Sequence, residues 1–568
     1  MDKALLVVHN ELPNGIRVSY ISDHCYKCLY QPLVILKDGH SDASVTVSTR
    51  FILTLSVDTE NGNSPLCRWS QLYGEAGQYS IWVQQSEHPS NITCFHEVDK
   101  DPVNSYLPLL VAAVVLILVA VLFFSWPHFY RWQRTSKHVN ILCCRSPQFS
   151  VDCVSTHFHQ SEDATNCSRE AKSSRLRSLD TFRGFSLTVM VFVNYGGGGY
   201  WFFQHAPWNG LTVADFVMPW FVFIIGTSVV LAFTSLQRKG VSRLQLLRKL
   251  TWRSVVLILI GFCFINYSPR DGLLSWSWAR VPGVLQRLGF TYFCLGLMQM
   301  ITGLREIPLQ QRWWMPLQDV FLYWPQWVFI LLLETLWLCL TFLLPVPNCP
   351  TGYLGAGGIG DGGLYANCTG GAAGYIDRWL LGDNIYRHPT CKELYRTTQP
   401  FDPEGVLGTI NSIVMGFTGM QAGKILLFYR SRNCSILKRF LVWAILLGVG
   451  AAILSKCTRD QGFIPVNKNL WSLSYVFCMG CSSFLLLGLM YVIVDIKGWW
   501  GGQPFIFPGM NSIFVYVGHS LLGAYFPFSW EMKFTENHWE PLFQSLWGTT
   551  LWICIAYLLY RKSFFLKI

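Results

Sequence analysis

Long apolar runs recur along this chain from residue 107 almost to its C-terminal end. Most are about 20 residues long, which is the length of helix that crosses the hydrocarbon core of a bilayer. The eleven runs are approximately 107–126, 183–203, 211–233, 252–267, 282–301, 325–345, 405–428, 437–455, 470–494, 504–524 and 546–563. The pattern predicts a polytopic α-helical membrane protein with about eleven transmembrane helices.

The first 106 residues follow a different pattern. Runs such as Val45–Val57 and Tyr79–Val83 are rich in β-branched and aromatic residues, and turn residues separate them. This composition is typical of β-strands. We therefore predict a small β-rich domain at 1–106, followed by the first transmembrane helix at 107–126.

Cysteines and a glycosylation sequon indicate that this domain lies in an oxidising lumen or outside the cell. Cys25, Cys28, Cys67 and Cys94 allow three pairings if all four are oxidised. We expect Cys25 and Cys28 to form a structural disulfide rather than a redox motif, because nothing around them resembles a thioredoxin fold. Asn91 begins an N-x-T sequon and is the first predicted glycosylation site.

Composition agrees with a membrane protein that has a modest soluble part. Of the 568 residues, 51% are apolar and only 14% are charged, whereas soluble proteins carry about 25% charged residues. The net charge of +11 is small for this length and does not indicate a nucleic-acid partner. We attribute most of the net charge to basic cytosolic loops.

The distribution of basic residues predicts the orientation in the membrane. If residues 1–106 are luminal, the cytosolic loops hold about two dozen basic residues, against about ten in the later luminal loops. This bias places the N-terminus in the lumen and the C-terminus in the cytosol. The stretch Ala4–Val8 is too short for the apolar core of a signal peptide. Either the chain is written without its signal, or the first span translocates the domain.

Two long loops join the predicted spans. Residues 127–181 mix serine, histidine and charged residues and are predicted to form a flexible cytosolic linker. The remainder, 182–568, is then a ten-helix transmembrane domain with a large luminal loop at 346–404. In that loop Asn367 begins a second usable sequon, and Cys349 and Cys368 could form a disulfide.

The stretch from Leu176 to Phe233 is the most informative part of the transmembrane domain. It contains the four glycines Gly196–Gly199, and polar residues surround them inside an apolar region. These polar residues are Asn194, His205, Asn209 and Asp215. Either the preceding helix begins near Leu176, or the glycine run lies at membrane depth, where it must line a cavity or be buried in protein. Polar groups at such a break are a functional-site hypothesis.

Three of these residues suggest acid–base chemistry, although each also has a structural interpretation. His205 could take a proton from an attacking nucleophile, or could be an interfacial histidine with a hydrogen bond in its loop. Asn194 could donate to a developing oxyanion, or could make an interhelical hydrogen bond. Asp215 could orient His205, pair with a substrate ammonium, or pair with a buried arginine. His519 is a second intramembrane histidine for which packing is as good an interpretation as catalysis.

Basic residues form a second candidate set. Arg175, Arg177, Arg183 and Arg253 lie at predicted cytosolic span ends. They suit an anionic phosphate group, and they equally suit ordinary membrane anchoring. Arg280 flanks the fifth span, and a buried guanidinium there needs a carboxylate or an anionic ligand. No Walker loop, dinucleotide fingerprint, hydrolase elbow or zinc motif is present in the sequence, and no metal site is predicted.

Several of these residues belong to longer motifs. The motifs begin with Leu176–Gly184, Val193–Gly198 and Trp208–Asp215, and continue through Arg280–Gly289, Cys349–Gly360, Gly370–Arg378, Asp402–Val414, Gly462–Tyr475 and Phe507–Gly518. Together they closely resemble the heparan-α-glucosaminide N-acetyltransferase family of lysosomal membrane enzymes. The resemblance covers essentially the whole chain. Gly199 and Gln204 depart from it, because lysines would be expected at both positions.

The resemblance implies an enzyme that moves acetyl from cytosolic acetyl-CoA to the non-reducing terminal α-glucosamine of heparan sulfate in the lysosomal lumen. The family's active-site histidine lies between the second and third motifs, and His205 is the histidine in that interval. It would act as a general base, with Asn194 stabilising the oxyanion, or would carry the acetyl group as acetyl-imidazole. Acetyl-CoA is then a co-substrate, and Arg280 and Asn209 are the candidates for sugar contacts. Lysosomal delivery rests on the resemblance, because the cytosolic segments contain no clear sorting signal.

A different class remains open from the residues alone. A transporter for a sugar or an amino sugar would also use a broken helix and polar groups inside the membrane. A glycan receptor that uses the luminal domain would leave eleven spans unexplained. The expected partners are acetyl-CoA, the heparan sulfate chain end and the lipid bilayer, with no nucleic acid, and a homodimer is also open.

Overall fold

Eight strands form a β-sandwich at the N-terminus in the computed structural model of the chain. The structure describes residues 1–37, 41–59, 65–85, 92–142, 176–266, 279–302, 317–430, 432–534 and 536–566. The strands are β1 (Lys3–Asn10), β2 (Ile16–Ser22), β3 (Gln31–Leu36), β4 (Ser41–Ser48), β5 (Leu53–Thr59), β6 (Pro65–Gln71), β7 (Gln78–Gln85) and β8 (Ile92–Lys100). They confirm the predicted N-terminal β-rich domain.

The strands pair into two four-stranded sheets, ordered β4-β1-β7-β8 and β3-β2-β5-β6. All pairs are antiparallel except β1 with β7. Alternate side chains of each strand point inward, so that Leu6, Val18, Leu55 and Ile81 form a fully buried core between the sheets. A disulfide between Cys67 on β6 and Cys94 on β8 joins the edges of the two sheets.

Helices make up most of the remaining chain. They are α1 (Leu107–Leu142), α2 (Arg177–Asn194), α3 (Val213–Arg238), α4 (Arg243–Ile260), α5 (Val284–Thr302), α6 (Gln318–Phe321), α7 (Trp324–Leu343), α8 (Gly371–Leu381), α9 (Lys392–Tyr395), α10 (Val406–Phe428), α11 (Asn433–Ser455), α12 (Leu473–Met490), α13 (Ile506–Met510), α14 (Ser512–Leu522) and α15 (Trp539–Arg561). In the described residues, five helices are long and apolar enough to cross a membrane: α3, α7, α11, α12 with its continuation to Ile496, and α15. The chain is therefore a mostly helical membrane protein, and the count of eleven spans stays a prediction.

The described residues within Asn104–Leu176 form a unit of their own. Its helix α1 continues to Leu142, well beyond the end of the first apolar run at residue 126. The linker predicted to begin at 127 is therefore helical in its first part. The rest of that linker, 143–175, lies outside the described residues.

Helix α2 shows where the helix of the predicted second span begins. It starts at Arg177, and its 18 residues correspond to about 27 Å of helix. It ends at Asn194, earlier than the predicted end at 203, because Gly196–Gly199 all have positive φ angles between 55° and 97°. Left-handed backbone cannot continue a right-handed helix, and glycine adopts it without a steric cost.

Small residues bring α3 and α10 into direct contact. A Cβ atom at Gly226 would collide with the carbonyl oxygen of Gly416, and one at Gly419 would collide with that of Phe223. Close backbone approach of this kind is the usual way in which helices pack inside a membrane, where burial of apolar surface gives no advantage.

The β-sandwich docks on loops of the helical domain. Arg459, in the loop after α11, donates through Nη2 to the carbonyl of Asp23 at 2.6 Å. Leu29 donates its N–H to the carbonyl of Ile359 at 3.0 Å, within the loop 346–404. His538, just before α15, lies 3.2 Å from Glu75. The loops that follow α7 and α11 and the one that precedes α15 therefore lie on the same side of the helices as the sandwich.

Candidate active site

His205 lies in the loop between the glycine turn and the start of α3. The loop passes through a short 3-10 helix at Trp201–Phe203 and reaches α3 at Val213. Nδ1 of His205 is 2.8 Å from Oδ1 of Asp215. The side chain is 37% exposed, so the ring is enclosed by protein but still reaches an open cavity.

Asp215 holds both the helix end and the imidazole. Its Oδ2 accepts the N–H groups of Thr212 at 3.0 Å and Ala206 at 3.2 Å, which fixes the loop against the first turn of α3. Its other oxygen faces His205. An ionised carboxylate only accepts hydrogen bonds, so Nδ1 of the neutral ring carries the proton and Nε2 is the acceptor. Asp215 is fully buried, which makes this pairing rigid.

Lys468 is the third member of the cluster, and the sequence analysis missed it. Its Nζ lies 3.0 Å from Nδ1 and 3.1 Å from Nε2 of His205, and 3.9 Å from Oδ1 of Asp215. Because Nδ1 donates to Asp215, Lys468 donates to Nε2. A lysine two residues before the apolar run 470–494 was the signal that could have indicated it.

The local electrostatics favour the neutral form of His205. Burial lowers the pKa of the imidazole, the charge of Lys468 lowers it further, and Asp215 opposes both without reversing the result. Burial also lowers the pKa of the Lys468 ammonium, against the opposing charges of Asp215 and Glu404. A ring with a lowered pKa stays able to accept a proton in a more acidic medium than free histidine does.

A buried ion network lies behind this cluster. Arg280 donates through Nε to Oδ2 of Asp402 at 2.8 Å and through Nη2 to Oδ1 at 2.5 Å, and also to Glu404. Burial alone would raise the pKa of Glu404, but the charges of Arg280, Arg287 and Lys468 hold it at about 2. Arg280 therefore has carboxylate partners inside the protein. Its predicted contact with a sugar stays a prediction.

Both the nitrogen and the oxygen of the Asn209 side-chain amide make hydrogen bonds. Nδ2 donates to Oδ1 of Asp460 at 2.9 Å, and Oδ1 accepts from Nδ2 of Asn467 at 3.0 Å. Asn467 immediately precedes Lys468. The residue predicted to contact sugar thus also positions the loop that carries the lysine.

Asn194 lies in a different cluster from the one around His205. Its Nδ2 is 2.9 Å from Nε2 of His519, whose Nδ1 donates to the carbonyl of Val515 at 3.1 Å. Nε2 of His519 is therefore the acceptor, and Asn194 donates to it. The structure thus joins two residues that the sequence predicts to lie in the membrane, and the oxyanion role of Asn194 stays a prediction.

The predicted cofactor-binding arginines have different surroundings. Arg183 donates to Asp180 at 3.1 Å, to the carbonyl of Gly509 at 3.3 Å and to Ser228 at 2.8 Å, and so connects α2, α3 and α13. The side chains of Arg177 and Arg253 are exposed.

Arg177 also marks a capped helix end. The N–H groups of Arg177 and Ser178 donate to the carboxylate of Asp495 at 3.3 and 3.2 Å, which is the usual stabilisation of a helix N-terminus. Arg175 lies outside the described residues, as does the predicted glycosylation site Asn91. Asn367 is exposed, and its carbonyl oxygen accepts from Gln399 at 3.5 Å.

His205 opens onto a cavity of about 430 Å³, in the usual range for small-molecule sites. Trp201 and Arg459 line it on the helical side, and Arg50 and Phe51 line it on the side of the β-sandwich. In the ranges described above, no group of three or more His, Cys, Asp or Glu side chains is arranged to hold a metal ion. The arrangement can accept a proton from a ligand in the cavity and donate a hydrogen bond beside it.

Fold and site together define a multi-pass membrane protein with a histidine–aspartate–lysine cluster at the foot of an extramembrane β-sandwich. No family model matches the sequence. The mouse heparan-alpha-glucosaminide N-acetyltransferase is 47% identical, over 100% of this chain and 89% of the relative. The human protein of the same name is 48% identical, over 100% of this chain and 88% of the relative. The chain therefore belongs to the heparan-alpha-glucosaminide N-acetyltransferase family and is an acyltransferase, which sets the transporter alternative aside.

Proposed function

We propose that this protein transfers the acetyl group of acetyl-CoA to the amino group of the terminal α-glucosamine of heparan. The observation that carries the proposal is the His205–Asp215 pair facing a cavity of about 430 Å³. The names of the relatives support transfer of an acetyl group to a heparan glucosaminide, and acetyl-CoA is the donor that we propose for it.

In the proposed reaction His205 is the general base. An amino sugar attacks only as the free amine, so its ammonium must first lose a proton. Asp215 holds the Nδ1–H tautomer and leaves Nε2 as the acceptor for that proton. The lowered pKa of His205 supports this role in an acidic compartment.

Lys468 supplies the electrophilic assistance in this proposal. Its Nζ lies 3.1 Å from Nε2, next to the position where the amine attacks. When the substrate amine takes the place of Lys468 at Nε2, the ammonium is free to donate to the oxygen of the tetrahedral intermediate. Collapse of that intermediate breaks the C–S bond. The proton held by His205 passes to the leaving CoA thiolate, and the second proton that the nitrogen loses is released to solvent. Asn194 is less well placed for this task, because it donates to His519.

A two-step route through the same residues remains as the alternative. Nε2 of His205 would attack the thioester carbonyl, release CoA and carry acetyl as acetyl-imidazole until the amine displaced it. The two routes differ in kinetics. In double-reciprocal plots, parallel lines favour the covalent route, and intersecting lines favour a ternary complex.

We further propose that acetyl-CoA enters from the cytosol and the acceptor from the lysosomal lumen, with the N-terminus luminal and the C-terminus cytosolic. Helix α2 supports this arrangement, because its length places Arg177 about 27 Å from the glycine turn that leads to His205. Exposed Arg177 and Arg253 would contact the phosphates of CoA. The loops that contact the β-sandwich are those for which charge bias predicts a luminal location.

Labelled acetyl transfer tests the proposal directly. Purified protein in lipid nanodiscs receives radiolabelled acetyl-CoA and glucosamine, and we expect N-acetylglucosamine as the labelled product. Glucose, which lacks the amine, is the matched acceptor control and should remain unlabelled. Hydrolysis of acetyl-CoA without any labelled sugar would contradict the proposal.

A further inference from the structure

The β-sandwich forms one wall of the cavity that His205 faces. Arg50 and Phe51 follow β4, and His24 follows β2. The opposite wall comes from Trp201 and Arg459 of the helical domain. The β-sandwich therefore contributes residues to the cavity that contains the reacting imidazole, which indicates a role in ligand binding.

Aromatic rings fix the two walls to each other. His24 stacks on Phe51 with ring centroids 3.9 Å apart, and both rings meet the edge of Trp201 at 5.7 and 5.5 Å. All three side chains are only partly buried. Their remaining apolar faces suit the apolar face of a pyranose ring, as in other small-molecule sites lined by aromatic residues.

Two guanidinium groups face the cavity from opposite sides. Arg50 donates through Nε to Asp2 at 2.9 Å and is 35% exposed. Arg459 donates through Nε to Asp460 at 2.8 Å and is 32% exposed. In both cases the aspartate orients the planar group. Glu393 is the one carboxylate among the described lining residues, whereas both arginines reach the cavity with part of their side chains exposed.

A hydrogen-bonded chain connects one of these arginines to the reaction centre. Asp460 bonds Arg459 and also accepts from Asn209, which in turn accepts from Asn467. Asn467 is followed by Lys468, which contacts His205. This chain fixes the distance between an anion held at Arg459 and an amine at the imidazole.

We infer that the β-sandwich is half of the acceptor site, and that Arg50 and Arg459 bind an anionic group on the sugar that adjoins the terminal amino sugar. The anion is a carboxylate or a sulfate, because both match the planar donor edge of arginine. This inference rests on the proposed function and adds the part of the acceptor that lies beyond the reacting ring. The contacts of Arg50 and Arg459 with the second sugar then give chain ends with an acidic second sugar a lower KM than free amino sugar.

Acetyl transfer to matched acceptors tests the inference. The acceptors are free glucosamine, glucosaminyl-uronic acid, its carboxyl-reduced neutral counterpart, and a disaccharide whose single anion is a sulfate. For Arg50→Ala and Arg459→Gln we expect KM for at least one acidic disaccharide to rise about three- to tenfold. The readout is KM for the acidic disaccharide relative to KM for its neutral counterpart in the same variant, so that a change common to all acceptors cancels. If the KM of the uronic-acid disaccharide rises in the variants, the bound anion is a carboxylate. If the KM of the sulfated disaccharide rises, the bound anion is a sulfate.

Two further variants make the result specific. Arg17→Ala removes an exposed arginine from β2 of the same sandwich that does not line the cavity. It should change KM for neither the acidic nor the neutral acceptors. Arg50→Lys keeps the charge and should recover part of the preference. Equal KM changes for acidic and neutral acceptors, or none for either, would overturn the inference. Failure of the wild-type protein to acetylate any of the acceptors would instead overturn the proposed function.

Discussion

His205 and His519 are two histidines of one chain with nearly opposite surroundings. His205 has a carboxylate on one ring nitrogen and an ammonium on the other, and it is 37% exposed. His519 has a backbone carbonyl and the amide of Asn194 as partners, and it is only 4% exposed. Both rings are held in one tautomer, but only His205 can exchange its second partner for a ligand. The difference shows that a histidine of this chain becomes a candidate base through its access to the cavity and through the charges beside it.

Replacement of the two histidines should give the largest contrast. We expect His205→Ala to lower kcat for acetyl transfer by about 10²–10⁴-fold, the usual contribution of a general base, with little change in melting temperature. His519→Ala should instead lower stability by about 1–3 kcal/mol, because it leaves Asn194 without its acceptor, and kcat should fall less than about tenfold. Transfer by reconstituted protein and thermal melting are the two measurements. Comparable losses of kcat in two well-folded variants would remove the distinction.

Lys468 provides a test of the charge around His205. Lys468→Met should lower kcat by about 10–100-fold, because the donor beside the reacting carbonyl is lost. It should also raise the pKa of His205, which the lysine charge helps to depress. The acid limb of the kcat/KM profile therefore moves to higher pH. Lys468→Arg keeps the charge and serves as the control, and an unchanged acid limb in the methionine variant would contradict this role.

His538 extends the comparison to a histidine between two carboxylates. Burial alone would lower its pKa, but hydrogen bonds to Asp2 and Glu75 raise it to about 10. Its stabilisation is fully present below the unfolded pKa of about 6.5 and is lost as pH rises through the folded value. His538→Gln should lower stability by about 1.5–3 kcal/mol below pH 6.5.

The pH dependence separates this effect from simple packing. The melting temperature of the native protein should fall between pH 6.5 and 9 more steeply than that of His538→Gln. Parallel melting curves across that range would show that the contacts of His538 do not depend on its charge.

The smallest effect on acetyl transfer is expected from a substitution at Asn367, which has no role in the proposed reaction. Its amide is exposed in the loop 346–404, so we predict that it carries a glycan. Asn367→Gln should remove one glycosidase-sensitive mobility shift and leave acetyl transfer within about twofold. A protein that shows the same shift in both forms would contradict a glycan at this position.

Local signals in the sequence were enough for much of the fold. The β-branched and aromatic runs of residues 1–106 were sufficient to predict a β-rich domain, because such residues favour strands. The pairing of its strands into two sheets came only from the structure. The structure also selects Cys25–Cys28 and Cys67–Cys94 from the three pairings that the sequence allowed. The end of α2 was less predictable, because aromatic residues continue the apolar run while the glycines turn the backbone.

The candidate site was predicted only where its residues are close in sequence. His205 and Asp215 are ten positions apart across a helix start, so a capping pattern could relate them. Lys468 reaches the same imidazole from 263 positions away, and Asn194 meets His519 across 325 positions. The periodicity of a single sequence does not indicate which residues so far apart in the chain will be in contact.

The sequence by itself determined the membrane class, the β-rich N-terminus, the glycine break and the histidine beside it. These features follow from hydrophobicity, backbone freedom and short-range capping, which act over a few residues. Only the tertiary structure decided that a lysine and a buried ion network surround that histidine, and that the β-sandwich closes over it. Those contacts depend on how loops far apart in the chain pack together, because electrostatic and hydrogen-bonding partners are set by distance in space.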